Sequence, residues 1–175
     1  MTPMLKLSDA PNAAQREAIL GPLWQFNLAR AGRTDDYRPL AVLLLHPDTG
    51  AVIGGLWGDS YFAQVFVELL FIPEDLRHRG IGRQLMATAE QEAQRRGCIG
   101  IWLDTFSFQA RGFYEKLGYT VFGTIDDYPP GHSRFFLKKT FPPIDGASAC
   151  AGHRQSPAAC SRSARSQAAD SCMGS

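Results

Sequence analysis

The chain has 175 residues, 45% of them hydrophobic, and a formal net charge of +1. That length allows one domain with a sizeable core, and the near-neutral charge offers no global attraction to nucleic acid or to an anionic membrane. No apolar run approaches the ~20 residues a membrane helix needs. The N-terminus lacks the basic and apolar regions of a secretory signal, so the expectation is a cytoplasmic protein with no nucleic-acid or membrane partner.

In chain order, Met4 to Leu7 reads as a short first strand. Helical spacing runs from Asn12 or Ala13 to Arg30, and Gly21-Pro22 inside it predicts a break into two short helices. Leu40 to His46 is an apolar strand, and Pro47-Asp48-Thr49-Gly50 is a turn. Strands follow over Ala51–Trp57 and Gln64–Ile72, and the three predict an antiparallel meander. Gly82 to Arg96 is an amphipathic helix: Ile81, Leu85, Met86, Ala89 and Ala93 share one face, and Gly97 suits its C-cap. Ile99–Thr105 is a strand, Gln109–Leu117 a short helix closed by Gly118, and Tyr119–Ile125 and Ser133–Phe141 two last strands. This alternation predicts one α/β (α+β) domain over residues 1–141 around a mixed, mostly antiparallel sheet, with about seven strands and four helices.

From Pro142 to Ser175 the only aliphatic or long apolar residues are Ile144 and Met173. Such a segment cannot bury enough apolar area to offset the entropy of ordering it, so residues 142–175 read as a disordered Ala/Ser/Cys-rich tail. Cys150, Cys160 and Cys172 lie in it, with His153 alone among them. No C-x-x-C is present, so no metal is expected. Cys98 reads as a small core residue.

The most informative string is Arg77-His78-Arg79-Gly80-Ile81-Gly82, between the Gln64–Ile72 strand and the long helix. A strand, a basic glycine turn and a helix start make an anion site. The first helical N–H groups lack intrahelical partners, the helix dipole is positive there, and glycine admits a bulky phosphate. A P-loop would need Gly-Lys-Ser/Thr, which is absent. A dinucleotide fingerprint would need a small residue where Leu85 stands, although Asp104 lies near the distance of its acidic residue, which weakens that alternative without removing it.

The string does match R-x-x-G-x-G, and with its flanking elements it resembles the GNAT (GCN5-related N-acetyltransferase) superfamily. A second stretch strengthens the resemblance. Trp102-Leu103-Asp104-Thr105 is followed by Ala110, Tyr114, Gly118 and Tyr119 at the spacing of that family's Ala-x-x-x-Tyr-x-x-x-Gly-Phe signature, with Tyr119 in place of the commoner Phe. The element order over residues 4–141 is also that of the family.

The resemblance implies acetyl transfer from acetyl-coenzyme A to a primary amine by direct attack in a ternary complex. It implies a sheet splayed between the fourth and fifth expected strands, where Leu70, Phe71 and Ile72 pair with the pantetheine arm. Arg77, His78, Arg79, Gly80, Ile81, Gly82 and Arg83 would hold the pyrophosphate, and Gln109 is a further cofactor contact. Tyr114 would protonate the departing sulfur, and Glu68 would be the base acting through a water, with Asp104 as its competitor. For each, a plainer reading stands beside the chemical one: a core aromatic for Tyr114, a solvated strand carboxylate for Glu68, a solvated basic face for the arginines. Asp126, Asp127, Tyr128 and His132, between the last two strands, read equally as a border of the acceptor site or as a polar turn. The acceptor expected is a small molecule, such as an antibiotic or polyamine. Acetylation of a protein lysine or N-terminus is one rival, and a non-catalytic acyl-coenzyme A-binding module is another. The resemblance leaves a homodimer open.

Overall fold

The computed structural model describes residues 3–32 and 37–142. The expected tail lies outside the described residues from Pro143 onward. Helix α1 spans Ala13–Ala31, followed by strands β1 (Arg38–Leu45), β2 (Val52–Tyr61) and β3 (Gln64–Phe71), helix α2 (Ile81–Arg95), strand β4 (Gly100–Phe106), helix α3 (Arg111–Lys116), and strands β5 (Thr120–Asp126) and β6 (Ser133–Thr140). The six strands form one sheet in the order β1-β2-β3-β4-β6-β5. Only the β3–β4 pair is parallel. The mostly antiparallel α/β sheet is as expected, with six strands and three α-helices rather than about seven and four.

Two corrections account for the difference. Met4, Leu5 and Leu7 are exposed, and no strand forms there, so β1 is left as a sheet edge. The Gly21-Pro22 pair does not break α1 in two, because Pro22 sits inside one continuous helix. Proline removes a hydrogen bond to the carbonyl four residues earlier, but α1 has no buried residue, so water can take that carbonyl. Asn12 and Gln15 cap the helix start reciprocally, at 2.9 Å in each direction. Trp24 meets the β2–β3 hairpin, stacking on Phe62 at 5.4 Å and edging Tyr61 at 6.0 Å.

The core lies between one sheet face and α2. Leu85, Met86, Ala89 and Ala93 are buried on α2, as its periodicity predicts. They join Leu40, Leu56, Val65, Val67, Ile101, Leu103 and Leu137. Burying each of the larger side chains contributes ~1.5–3 kcal/mol. Polar contacts fix how α2 lies on the sheet. Arg96, just past its end, donates to Ser60 Oγ at 3.0 Å and to the Arg38 and Pro39 carbonyls at 3.1 Å. Glu92 orients that guanidinium, and hydrogen bonds from Arg95 and Arg96 hold its own carboxyl down at about 2. Glu90 accepts from the Tyr119 hydroxyl at 3.0 Å and from Lys139 at 2.7 Å, which ties α2 to β6. No helix among the described residues is long and apolar enough to cross a membrane.

Candidate active site

After β3, Pro73 leads into a single 3-10 turn, Glu74–Leu76, and then into the basic glycine turn. His78 (φ 62°) and Gly80 (φ 81°) are both left-handed, which reverses the chain into α2. The first helical amide with a carbonyl behind it is that of Gln84, which donates to Gly80 O at 3.1 Å. The amides of Ile81, Gly82 and Arg83 therefore face outward at the positive end of the helix. No side chain caps this end.

The two glycines serve different ends. A Cβ on Gly80 would meet nothing within 4 Å, so it is the left-handed φ that calls for glycine there. A Cβ on Gly82 would lie 3.1 Å from Phe113 and 3.3 Å from Ile72, so that glycine lets α2 pack closely on α3 and the end of β3. Arg77 spends its Nε on the Ile72 carbonyl at 3.1 Å and so braces the turn. His78, Arg79 and Arg83 are exposed, and neither arginine has an ion pair among the described residues.

The parallel β3–β4 ladder pairs Gln64–Val67 with Gly100–Leu103 and stops. Beyond it β3 continues along β2, with Leu69, Leu70 and Phe71 opposite Trp57, Leu56 and Gly55. The β3 edge turned toward β4 has no strand partner there, so its backbone groups are open to a ligand. This is the expected splay, opening toward the basic turn. Glu68 and Asp104 are the first residues past the ladder on either side of the notch.

Glu68 is also a bulge. Trp57 pairs with Leu69 and Gly58 with Val67, which leaves Glu68 as the extra residue. Simple alternation predicts Glu68 on the face of Phe66, Leu70 and Ile72. The bulge changes the phase, so Leu70 and Ile72 pack on the core cluster while Glu68 is exposed.

Tyr114 is buried in α3 at 8% exposure. Its ring is edged by Phe113 at 5.0 Å and Tyr119 at 6.1 Å, and among the described residues no hydrogen bond holds its hydroxyl. Burial, and then the charge of Asp104, push this phenol up to about 12. It stays protonated at neutral pH and can donate. Asp104 accepts from Arg134 Nε at 2.7 Å, so one of its oxygens is committed. The Arg134 guanidinium lies over three rings: Phe106 at 5.2 Å, and Tyr128 and Phe136 at 5.7 Å.

The remaining expected residues hold loops. Helix α3 begins at Arg111 rather than Gln109. Gln109 Oε1 instead accepts from the Phe106 amide at 2.8 Å and Thr105 Oγ1 at 3.1 Å, closing the end of β4. Asp127 Oδ1 accepts from the Gly131 amide at 2.7 Å, and Asp126 Oδ1 from Ser133 Oγ at 3.3 Å, so both carboxylates brace their own turn. Tyr128 and His132 join an aromatic group with Phe106 and Phe108: Phe106–Tyr128 at 5.9 Å and Phe108–His132 at 4.9 Å. His132 Nδ1 also lies 3.2 Å from Ser107 Oγ. Sequence reasoning missed Asp59, a lone carboxylate in β2 carrying the same signal that singled out Glu68. It also missed Arg134 and the stacked pair Phe66–Trp102, with centroids 4.1 Å apart. No group of three or more His, Cys, Asp or Glu among the described residues could hold a metal ion.

This geometry can be set beside known proteins. The profile of the "Acetyltransferase (GNAT) family" matches residues 11–119. The acetyltransferase Atu2258 of Agrobacterium fabrum is 40% identical over 135 residues, covering 77% of this chain and 97% of that protein. Blasticidin-S acetyltransferase of Streptomyces morookaense is 39% identical over 105 residues, covering 58% of this chain and 77% of that protein. A crystal structure of an acetyltransferase from Agrobacterium tumefaciens superposes with a TM-score of 0.74 at 39% identity, covering 79% of this chain and 99% of the other.

Proposed function

The chain belongs to the GNAT acetyltransferase family and is an acetyl-CoA-dependent N-acetyltransferase, and from that premise we propose that its acceptor is a primary amine on a small molecule. The observation that carries this reading is the notch past Val67 and Leu103, with an exposed carboxylate on one wall and a protonated, unbonded tyrosine beside it. The 39%-identical relative named for blasticidin S lends support, because that name specifies a small-molecule acceptor.

The chain fits the cosubstrate. The Ile81–Arg83 amides, with Arg79 and Arg83, take the diphosphate, and the unpaired β3 edge at Leu70 and Phe71, continued by Ile72, takes the amide-bearing arm. Acetyl-CoA supplies an acyl group activated as a thioester. A typical alkylamine, with a pKa near ~10.4, arrives protonated and must lose a proton to attack. Glu68 takes that proton, directly or through a water, as the C–N bond forms. Tyr114 gives its proton to sulfur as the C–S bond breaks; the nitrogen sheds its second proton to solvent as the acetamide forms, and Tyr114 is restored from solvent. Asp104 is a positioning residue: with Arg134 it fixes the far wall of the notch. The products are the acetamide and free coenzyme A.

The test is thiol release from acetyl-CoA across a panel of amines: alkyl monoamines and diamines, amine-bearing antibiotics, and a lysine peptide. Turnover with small amines is expected. Turnover with the peptide alone overturns the reading.

A further inference from the structure

Asp59 Oδ1 is the one buried side-chain oxygen or nitrogen among the described residues that has no hydrogen-bond partner. A carboxylate oxygen taken from water without a donor is unfavourable, so its place calls for an explanation. The neighbours of Asp59 supply one. It stands on β2 between Pro39 of β1 and Phe66 of β3. The flanking positions Gly58 and Ser60 are buried, and Ser60 reaches Arg96 at the end of α2. Alternation therefore turns Asp59 to the opposite face, with Trp57, Tyr61 and Phe66. Phe66 stacks there on Trp102, which together offer a flat aromatic surface next to the carboxylate. Burial raises Asp59, and the charge of Glu68 adds to that shift, so the two carboxylates lie close enough to repel. A cation relieves both the missing donor and the repulsion.

We propose that Asp59 is a specificity-determining residue of the acceptor site: it binds a second cationic centre of an acceptor whose reacting amine lies at Glu68. Asp59 is one diagonal cross-strand step from Glu68, so the two cationic centres stand roughly 7–8 Å apart. The chain or ring that joins them lies along Phe66 and Trp102. Diamines and multiply aminated small molecules are then preferred over monoamines. The inference rests on the small-molecule amine reading above and adds to it the charge pattern of the acceptor.

The test compares diaminopentane with pentylamine, on the wild-type protein and on Asp59→Asn. Thiol release gives kcat and KM, and calorimetry in the presence of coenzyme A gives acceptor binding without turnover. The wild-type enzyme is expected to favour the diamine about tenfold in kcat/KM, the effect of ~1.4 kcal/mol. Asp59→Asn should remove that preference by raising KM for the diamine, with kcat and coenzyme A affinity held. The substitution is isosteric and removes an unpartnered charge, so its Tm should not fall. Equal use of both amines by the wild-type enzyme overturns the role of Asp59 while acetylation of small amines stands. A loss of kcat at constant KM also overturns it, moving Asp59 to proton transfer. If neither amine binds or reacts, the small-amine reading falls, and this inference with it.

Discussion

The two halves of this site are built from different materials. The cofactor half is mostly backbone: outward amides at the start of α2, a left-handed turn, and a strand edge whose ladder stops after Val67. The acceptor half is side chains on the opposite sheet face: Glu68 on its bulge, Asp59 without a donor, and an arginine boxed by rings. Backbone groups can read only what every acyl-coenzyme A shares. The side chains of the sheet are free to differ, and the choice of acceptor falls to them. Substitutions on the acceptor side should therefore change chemistry and specificity, and those on the other should change cofactor affinity and stability.

The largest expected effect is at Tyr114. Tyr114→Phe removes the proton donor but keeps the ring against Phe113 and Tyr119, so kcat should fall about 10²-fold or more. The KM for acetyl-CoA should stay within a factor of about three. Steady-state kinetics on both substrates check this, and an unchanged kcat would return Tyr114 to a purely packing role. Because burial lifts the phenol to about 12, its loss of a proton should put no alkaline limb on the wild-type rate below that pH. Glu68→Gln comes next, at roughly 10-fold in kcat near neutral pH. That deficit should shrink as pH rises toward ~10.4, where the amine sheds its proton unaided. A deficit constant across the pH range would separate Glu68 from proton transfer.

These two residues also show how much of the site is legible in the chain. Tyr114 is marked by the resemblance, since the signature from Ala110 to Tyr119 singles out one tyrosine in α3, and that tyrosine is buried. Glu68 is only half legible. A lone carboxylate in an apolar strand marks it, and alternation rightly groups it with Phe66 but wrongly with Leu70 and Ile72, which turn to the core past the bulge. That bulge depends on the register with β2, and no local pattern specifies that register. Arg77 to Gly82 reads well because a strand, a glycine turn and a helix start are local. Asp104 is visible as a carboxylate, but its commitment to Arg134 spans 30 positions and belongs to the β4–β6 pairing. Asp126 and Asp127 read equally as a border of the acceptor site or as a polar turn, and in the structure each accepts a short-range hydrogen bond within that turn. Pro22 stays inside α1 because the helix is exposed, and that depends on tertiary packing.

Arg134→Met tests whether the acceptor wall depends on the ion pair. The substitution keeps some contact with Phe106, Tyr128 and Phe136 but leaves Asp104, with its side chain 15% exposed, without a partner. The expected loss is about 2 kcal/mol of stability, read by denaturant unfolding. KM for the amine should also rise, while coenzyme A affinity is retained. If coenzyme A binding weakens as much as amine binding, the two halves are not separable at this point.

The smallest effects come from the two glycines of the turn, and they sharpen the contrast within the cofactor half. Gly80→Ala must hold a side chain at φ 81°, which costs ~1–2 kcal/mol. It should weaken coenzyme A binding several-fold, because relaxing that strain re-aims the amides behind it. Gly82→Ala meets the opposite balance. Its Cβ arrives 3.1 Å from the far edge of the Phe113 ring, so a side chain must yield by a few tenths of an ångström. Alanine in place of glycine returns up to ~1 kcal/mol of helix propensity, somewhat less this close to the helix end. The two terms nearly cancel, and the net change in stability should lie within about 1 kcal/mol of zero. Calorimetric titration with coenzyme A then separates the two glycines: Gly82→Ala should bind nearly as the wild-type protein does. If it binds as poorly as Gly80→Ala, a bare approach to the backbone at Gly82, rather than the packing of α2 on Phe113, is what that glycine provides.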